Sequence, residues 1–361
     1  MTIKDILRCR LQQQQILKPE FNKPEDVVKR LVAVQSQDYL NSLWAVGLRM
    51  KNSTEEGVER ALARKTIVRT WPMRGTLHFI SGQDIHWMLK LLTPRIVAAN
   101  ASRLKKEYEV DEKVISRSKK IIVKALQGGH QRSRDALYQT LESAKIPAKG
   151  QRGLHILWRL SQDGVLCFGT REGKQHTFTL LDEWIPATRK FLRDEALAEL
   201  ALRYFSSHGP ALLSDFTWWS GLSSTDAKAG FEMIKSKLIQ EKFDDKIYIM
   251  PADITVPGKH VMTTTILLPN FDEYTVGYTD RSTLFNFGKK VEHGNGIFKP
   301  IVMVNGQMVG TWKRTFKKKT IDLIVKVFST SGKTQKEAIE SSAERYAKFL
   351  GRDISSLKIG R

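Results

Sequence analysis

The sequence predicts an α+β chain, mainly helical, made of three tandem winged-helix domains and a small C-terminal β-rich region. Three observations carry this expectation. A run of helices closed by a short hairpin recurs three times before about residue 260. Its period is irregular, which fits tandem modules and not a solenoid of short repeats. The chain has 361 residues, 41% of them hydrophobic, so it is too long for one typical core and rich enough to fill several. The expected divisions are 1–110, 111–190, 191–260 and 261–361.

In the first module Ile3, Ile6, Leu7 and Leu11 share one face of a helix over 2–15. Pro24 opens the next helix, at the position where proline is tolerated. Ser53-Thr54-Glu55-Glu56 has the form of a capping box for a helix over 54–64. Residues Ile67 to Ile80 alternate as two strands around Pro72 and Gly75. A long helix over 82–107, opened by Ser81, ends the unit.

The second module places one helix after Ser133 and another over Arg152–Leu160, stopped by Gly164. A hairpin over 165–180 turns at Arg171-Glu172-Gly173-Lys174. The third has helices over 194–206, from Ser214 to Gly221, and over 225–239, then a strand over Phe243–Met250. From 261 onward, Thr263–Leu268, Tyr274–Tyr278, Ile301–Val304 and Met308–Trp312 read as strands. Asn305-Gly306 is a two-residue hairpin turn. A helix over 334–350 ends the chain at Gly351.

Charge narrows the partner. Lys and Arg number 59 against 38 Asp and Glu, a net +21 spread along the chain, which points to a polyanion. Two distant cysteines, Cys9 and Cys167, rule out a disulfide framework and a cysteine-based zinc site. No signal-peptide pattern and no long apolar run is visible, so a cytoplasmic, nucleoid-associated protein is expected, with no membrane contact.

A winged helix commonly sets one helix in the major groove and its wing on the backbone. Arg152, His155 and Arg159 on the second module's last helix, and Arg69, Trp71, Arg74 and His78 at the first wing, are the candidate DNA contacts. Each has a plain alternative as a solvated or packing residue. Asp272 and Glu273 could suggest a nuclease metal, but neighbours on a strand face opposite ways. His78 and His86 could serve acid–base chemistry, with core or capping roles the simpler reading. Trp218-Trp219 could stack on a displaced base, with packing the simpler reading. No lysine stands in a recognisable apolar setting for a Schiff base, so hydrolysis without strand cleavage is expected. Gln35 and Gln37 lie two residues apart in a non-helical stretch and can aim one way. Neither is an acid or base, but two amides can hold a water. That suffices where the leaving group is already activated, as a cationic N7-alkylpurine is.

Four stretches together resemble a known family: Arg30–Gln37 with Trp44–Arg49; Arg69–His78; Leu268–Tyr274 with Gly277–Arg281; and Val309–Arg314. In this order they are similar to the winged-helix DNA-binding family of AlkZ-like (YcaQ-like) DNA glycosylases. The resemblance implies three winged helices around DNA and bacterial repair of alkylation damage, by removal of bulky or interstrand-crosslinked alkylpurines. It maps a catalytic Gln-x-Gln onto Gln35 and Gln37, with Ser36 where the family usually has an aliphatic residue. It implies damaged double-stranded DNA as partner, Lys313 and Arg314 on its backbone, Asp272, Glu273 and Tyr274 as supports, no cofactor or metal, and a monomer. The alternative is a non-catalytic winged-helix regulator or architectural protein.

Overall fold

The computed structural model describes residues 1–186, 190–258, 264–285, 299–329 and 332–361. Thr263 and the expected boundary at 260/261 fall outside or at the edge of the described residues. Fourteen α-helices and thirteen strands are defined among those described, and the whole is a mixed helix-and-strand fold. The chain forms two compact units: Met1–Glu59 with Ala198–Trp219 and Ser223–Arg361, and Arg60–Leu197 with Ser220–Leu222.

The order helix, short strand, helix, helix, hairpin occurs three times. It runs first as α1 (Ile3–Gln13), α2 (Pro24–Leu31), β1 (Ala33–Gln35), α3 (Tyr39–Gly47), α4 (Glu55–Ala63), β2 (Ile67–Met73) and β3 (Thr76–Ser81). After α5 (Ile85–Tyr108) it returns as α6 (Glu112–Leu126), β4 (Arg132–Ser133), α7 (Arg134–Ser143), α8 (Gln151–Gln162), β5 (Leu166–Glu172) and β6 (Gln175–Leu180). The short α9 (Leu181–Trp184) follows. The third occurrence is α10 (Arg193–His208), a single bridge from Ala211 to Ile249, α11 (Leu213–Ser220), α12 (Ser224–Ile234), β7 (Leu238–Phe243) and β8 (Lys246–Pro251).

Caps read from the sequence set several of these boundaries. Ser133 and Ser223 accept the N–H groups of Ala136 and Asp226, and Thr54 accepts that of Gly57 at 3.0 Å. In the second unit, β4–β6–β5 form a sheet. Ile115, Ile122 and Leu126 from α6, Leu137 and Leu141 from α7, and Ile156, Leu157 and Leu160 from α8 pack on Leu166, Phe168, Phe178 and Leu180. Each such side chain contributes about 1.5–3 kcal/mol on full burial.

In the first unit a five-stranded sheet runs in the order β13 (Asp353–Gly360), β12 (Thr320–Val327), β11 (Gln307–Phe316), β10 (Ile301–Val304), β9 (Thr265–Leu268). The β10–β11 turn has Asn305 and Gly306 at φ 50° and 85°, the left-handed pair that a two-residue hairpin needs. Helix α14 (Lys333–Leu350) covers one face, with Ile339, Ala343 and Tyr346 buried. Trp312 and Trp44 are buried there, and their indole N–H groups donate to the Leu268 and Leu267 carbonyls, each at 2.8 Å. Phe349 packs so close to Gly47 that an added Cβ would sit 2.3 Å from its ring.

The structure corrects five expectations; the strand expected over Phe243–Met250 is broken by a turn at Asp244 and Asp245, both at positive φ, which joins β7 to β8. Residues 273–276 are a short helix, α13 (Glu273–Val276), and not a strand, because the Asp272 carboxylate accepts the Tyr274 N–H at 2.9 Å and caps it. Helix α12 stops at Ile234, and a 3-10 turn over Lys235–Lys237 leads into β7. Helix α5 starts at Ile85, not after Ser81, since Ser81 still belongs to β3. The last helix does not end the chain: β13 follows Gly351 and pairs in parallel with β12. Among the described residues no helix is long and apolar enough to cross a membrane.

Candidate active site

Gln35 closes β1 and Gln37 lies in the bend that leads into α3. Gln35 is 7% exposed and Ser36 is fully buried, whereas Gln37 is exposed. The extended alternation that could aim both amides alike therefore stops at Gln35. The cause is local: Asp38 accepts the Asn41 N–H at 3.2 Å and starts α3 immediately after Gln37.

A buried polar network supports this segment. Glu273 is wholly buried, and its Oε1 accepts the Gln35 backbone N–H at 3.0 Å. Its Oε2 accepts the Trp219 indole N–H at 2.9 Å. His208 Nε2 stands 3.6 Å from the same oxygen, beyond a good hydrogen bond. The His208 ring stacks on Tyr204 with centroids 4.7 Å apart. Burial lowers the His208 pKa, so its imidazole is neutral near pH 7.

Next to Glu273, Asp272 binds Arg49 through two bonds of 2.7 and 2.8 Å, with both side chains fully buried. Arg49 also donates to the Ala45 carbonyl and, at 2.9 Å, to Gln14. The Gln14 amide reaches the Tyr278 hydroxyl at 3.1 Å, and that hydroxyl donates to the His208 carbonyl at 2.7 Å. Arg10 lies 3.8 Å over the Tyr278 ring. Tyr274 is buried and donates to the Gly306 carbonyl at 3.1 Å. Hydrogen bonding to buried charges has this density where side-chain geometry is being fixed.

On the other flank, Asp38 accepts from Asn41 at 2.8 Å and from Asn270 at 3.3 Å. Arg314 donates to the Asn41 side chain, so it belongs to the frame around Gln37. Lys313, its neighbour, is exposed. Among the sequence candidates, Gln35, Gln37, Asp272, Glu273, Tyr274 and Arg314 thus belong to one unit, with Gln35 bonded directly to Glu273. Trp219, the packing half of the Trp218-Trp219 pair, joins them through Glu273, and Gln14, Arg49 and His208 are the members that sequence reading did not single out. They are scattered in sequence, and a polar residue destined for burial carries no local signal.

The candidates of the first wing and of α8 lie in the other unit. Trp71 packs in its hydrophobic core against Phe168 and Phe178, at centroid distances of 5.0 and 6.3 Å. Arg69 is buried with its guanidinium 4.8 Å over Phe168. His78 is buried, with Nδ1 3.0 Å from the Thr76 carbonyl and Nε2 3.3 Å from Arg74. His155 packs on Tyr108 with centroids 4.0 Å apart, and burial lowers its pKa. Arg152 pairs with Glu109 at 2.9 Å, and Arg159 with Glu112 at 2.7 Å and Asp163 at 3.0 Å.

The family described as AlkZ-like DNA glycosylases matches residues 28–349. An interstrand DNA cross-link repair glycosylase of Streptomyces sahachiroi is 26% identical over 358 residues, covering 94% of this chain and 94% of that protein. The solved structure of the Streptomyces sahachiroi DNA glycosylase AlkZ has the same fold, with a TM-score of 0.79 over 99% of both chains at 22% identity. The chain therefore belongs to the AlkZ-like DNA glycosylase family, enzymes that cleave N-glycosidic bonds in DNA.

Proposed function

We propose that this enzyme hydrolyses the N-glycosidic bond of N7-alkylated purines, including bulky and interstrand-crosslinked ones, with Gln35 and Gln37 holding the attacking water. The observation that carries this reading is the bond from the Gln35 backbone to the buried Glu273 carboxylate. It fixes the Gln-Ser-Gln segment from its main chain, through a carboxylate that is itself wholly buried. One amide is buried and the other exposed, a suitable pair for a water at the edge of a protein wall.

The chemistry suits amides. An N7-alkylpurine is cationic and leaves with the electron pair of its bond to C1′, becoming neutral. The sugar develops oxocarbenium character, the water oxygen bonds to C1′, and its proton passes to solvent. No general base of high strength is required, and no lysine need attack, so the DNA strand stays intact. Asp272, Glu273 and Tyr274 keep the segment in place and do not touch the substrate.

We read each recurrence as a winged helix, with modules at 1–110, 111–190 and 191–260 and a β-rich region at 261–361. In this reading Arg74, Arg152, His155 and Arg159 meet the duplex of damaged DNA near the lesion, and Lys313 meets its backbone away from the lesion. Arg69, Trp71 and His78 shape the wing from within it, and Arg314 braces the Gln37 flank. Arg152 and Arg159 now face exposed Glu109 and Glu112. Such pairs are worth about 0–1 kcal/mol, so phosphates can replace the carboxylates at small cost. The protein works as a monomer in the cytoplasm at the nucleoid. The test is incubation with duplex DNA carrying N7-alkylguanine: free modified base and an abasic, uncut strand are expected. Binding without base release would instead place the protein among non-catalytic DNA-binding proteins.

A further inference from the structure

One face of the five-stranded sheet is covered by α14; among the described residues, side chains on the outer face of its β11–β12–β13 half are exposed. Strand β12 alternates strictly: Ile321, Leu323, Val325 and Val327 are buried, while Ile324 and Lys326 are exposed. Directly paired residues share a face of a sheet. Lys313 pairs with Ile324, and Ile324 pairs with Lys358, so the three form one row across three strands. Lys326, paired with Thr311 and Gly360, makes the next row on the same face. Lys313, Lys326 and Lys358 are all exposed. Among the described residues none of the three has an ion-pair partner. Two acids share this face: Asp322, in the row beside Ile324, is matched to Lys317 at 2.8 Å, and Asp353 lies at the edge beside Thr320.

We propose that this open face is a docking surface for the phosphate backbone of duplex DNA, separate from the Gln35–Gln37 segment. Strand spacing of about 4.8 Å and a rise of about 3.4 Å per residue place the three ammonium stems roughly 7–10 Å apart on a flat surface. Duplex DNA carries one phosphate charge per about 1.7 Å of axis, so three unpaired cations at that spacing each find a phosphate. Ile324, 41% exposed, lies at the centre of the three lysines, and the nearest carboxylate, Asp322, is already neutralised by Lys317. Lysine contacts to phosphate position a duplex and read no base, so the contact is independent of sequence and of lesion.

The surface points away from the reacting segment. Arg314, on the α14 side of β11, reaches Asn41 beside Gln37, whereas Lys313 projects from the opposite side. A straight duplex lying at Gln37 does not also lie on this face. Its occupant is therefore a bent flanking arm or a second duplex segment. The inference rests on DNA being the partner and not on the roles given to Gln35 and Gln37.

The test uses the full chain and an unmodified duplex, so that it does not depend on base release. Lys326→Gln/Lys358→Gln is compared with the wild type and with Lys326→Arg/Lys358→Arg by titration at several salt concentrations. Loss of two phosphate contacts lowers the slope of log affinity against log salt by about 1.8. The arginine pair retains the wild-type slope, and thermal unfolding checks that both variants are folded. An unchanged slope and affinity in the glutamine pair overturns the proposal. So does a loss confined to single-stranded DNA.

Discussion

The carboxylate of Glu273 holds the backbone N–H of Gln35 at 3.0 Å with one oxygen and the indole N–H of Trp219 at 2.9 Å with the other. Glu273→Gln keeps the shape but offers one acceptor oxygen in place of two. One buried N–H then loses its partner, which costs about 1–3 kcal/mol. Urea unfolding should register that loss. Base release in single turnover should slow about tenfold for each 1.36 kcal/mol of lost positioning. Unchanged stability and rate would remove Glu273 from the account.

Arg49 and Asp272 form a fully buried, two-bond ion pair. Arg49→Met leaves Asp272 buried without its guanidinium, at an expected cost of about 3–5 kcal/mol. Arg49→Met combined with Asp272→Leu should cost much less than the sum of the single changes, since no lone charge remains. Denaturant titration of the four proteins measures this coupling, and additive losses would contradict it.

Trp71 lies in the core of its unit and not at an open surface. Trp71→Ala should therefore destabilise by about 3–5 kcal/mol. A weaker DNA complex with unaltered stability would restore a direct contact.

Acid should weaken the fold. Burial, with Arg69 and Arg171 nearby, pushes His176 down to about 3 from its ordinary 6.5. The unfolded chain then takes up a proton that the folded one refuses, so stability is complete above about pH 6.5 and falls toward pH 3. His208 acts in the same direction through burial. Burial alone would raise the Asp280 pKa, but the hydrogen bonds from Lys246 and Ser282 outweigh it and hold the group at about 2 against an ordinary 3.8. Its contribution is lost as pH falls through that range. Urea midpoints from pH 7 to pH 3 should decline throughout, and His176→Gln should flatten the upper part. A flat wild-type profile would contradict these shifts.

Much of the fold was legible because its signals are local. Ser133, Thr54 and Ser223 announce helix starts through their own side chains, and Asn305-Gly306 turns a hairpin by its backbone preference alone. Gln35 and Gln37 were found through resemblance, since two amides carry no chemical signature. The support behind them was only partly visible. Asp272 and Glu273 stood out as acids, but Tyr274–Tyr278 looked like a strand because the capping bond of Asp272 outweighs β-prone side chains. Gln14 is one of four consecutive glutamines, and the partners of its buried amide, Arg49 and Tyr278, are far off in sequence. Strand β13 was missed because its partner β12 lies on the other side of a helix.

The most direct measurement is single-turnover release of modified base from an N7-alkylguanine duplex by wild type, Gln35→Ala and Gln37→Ala, with affinity for the same duplex measured alongside. The account predicts release by the wild type, and its loss in each variant while DNA binding persists. Release at the wild-type rate by both variants would contradict it.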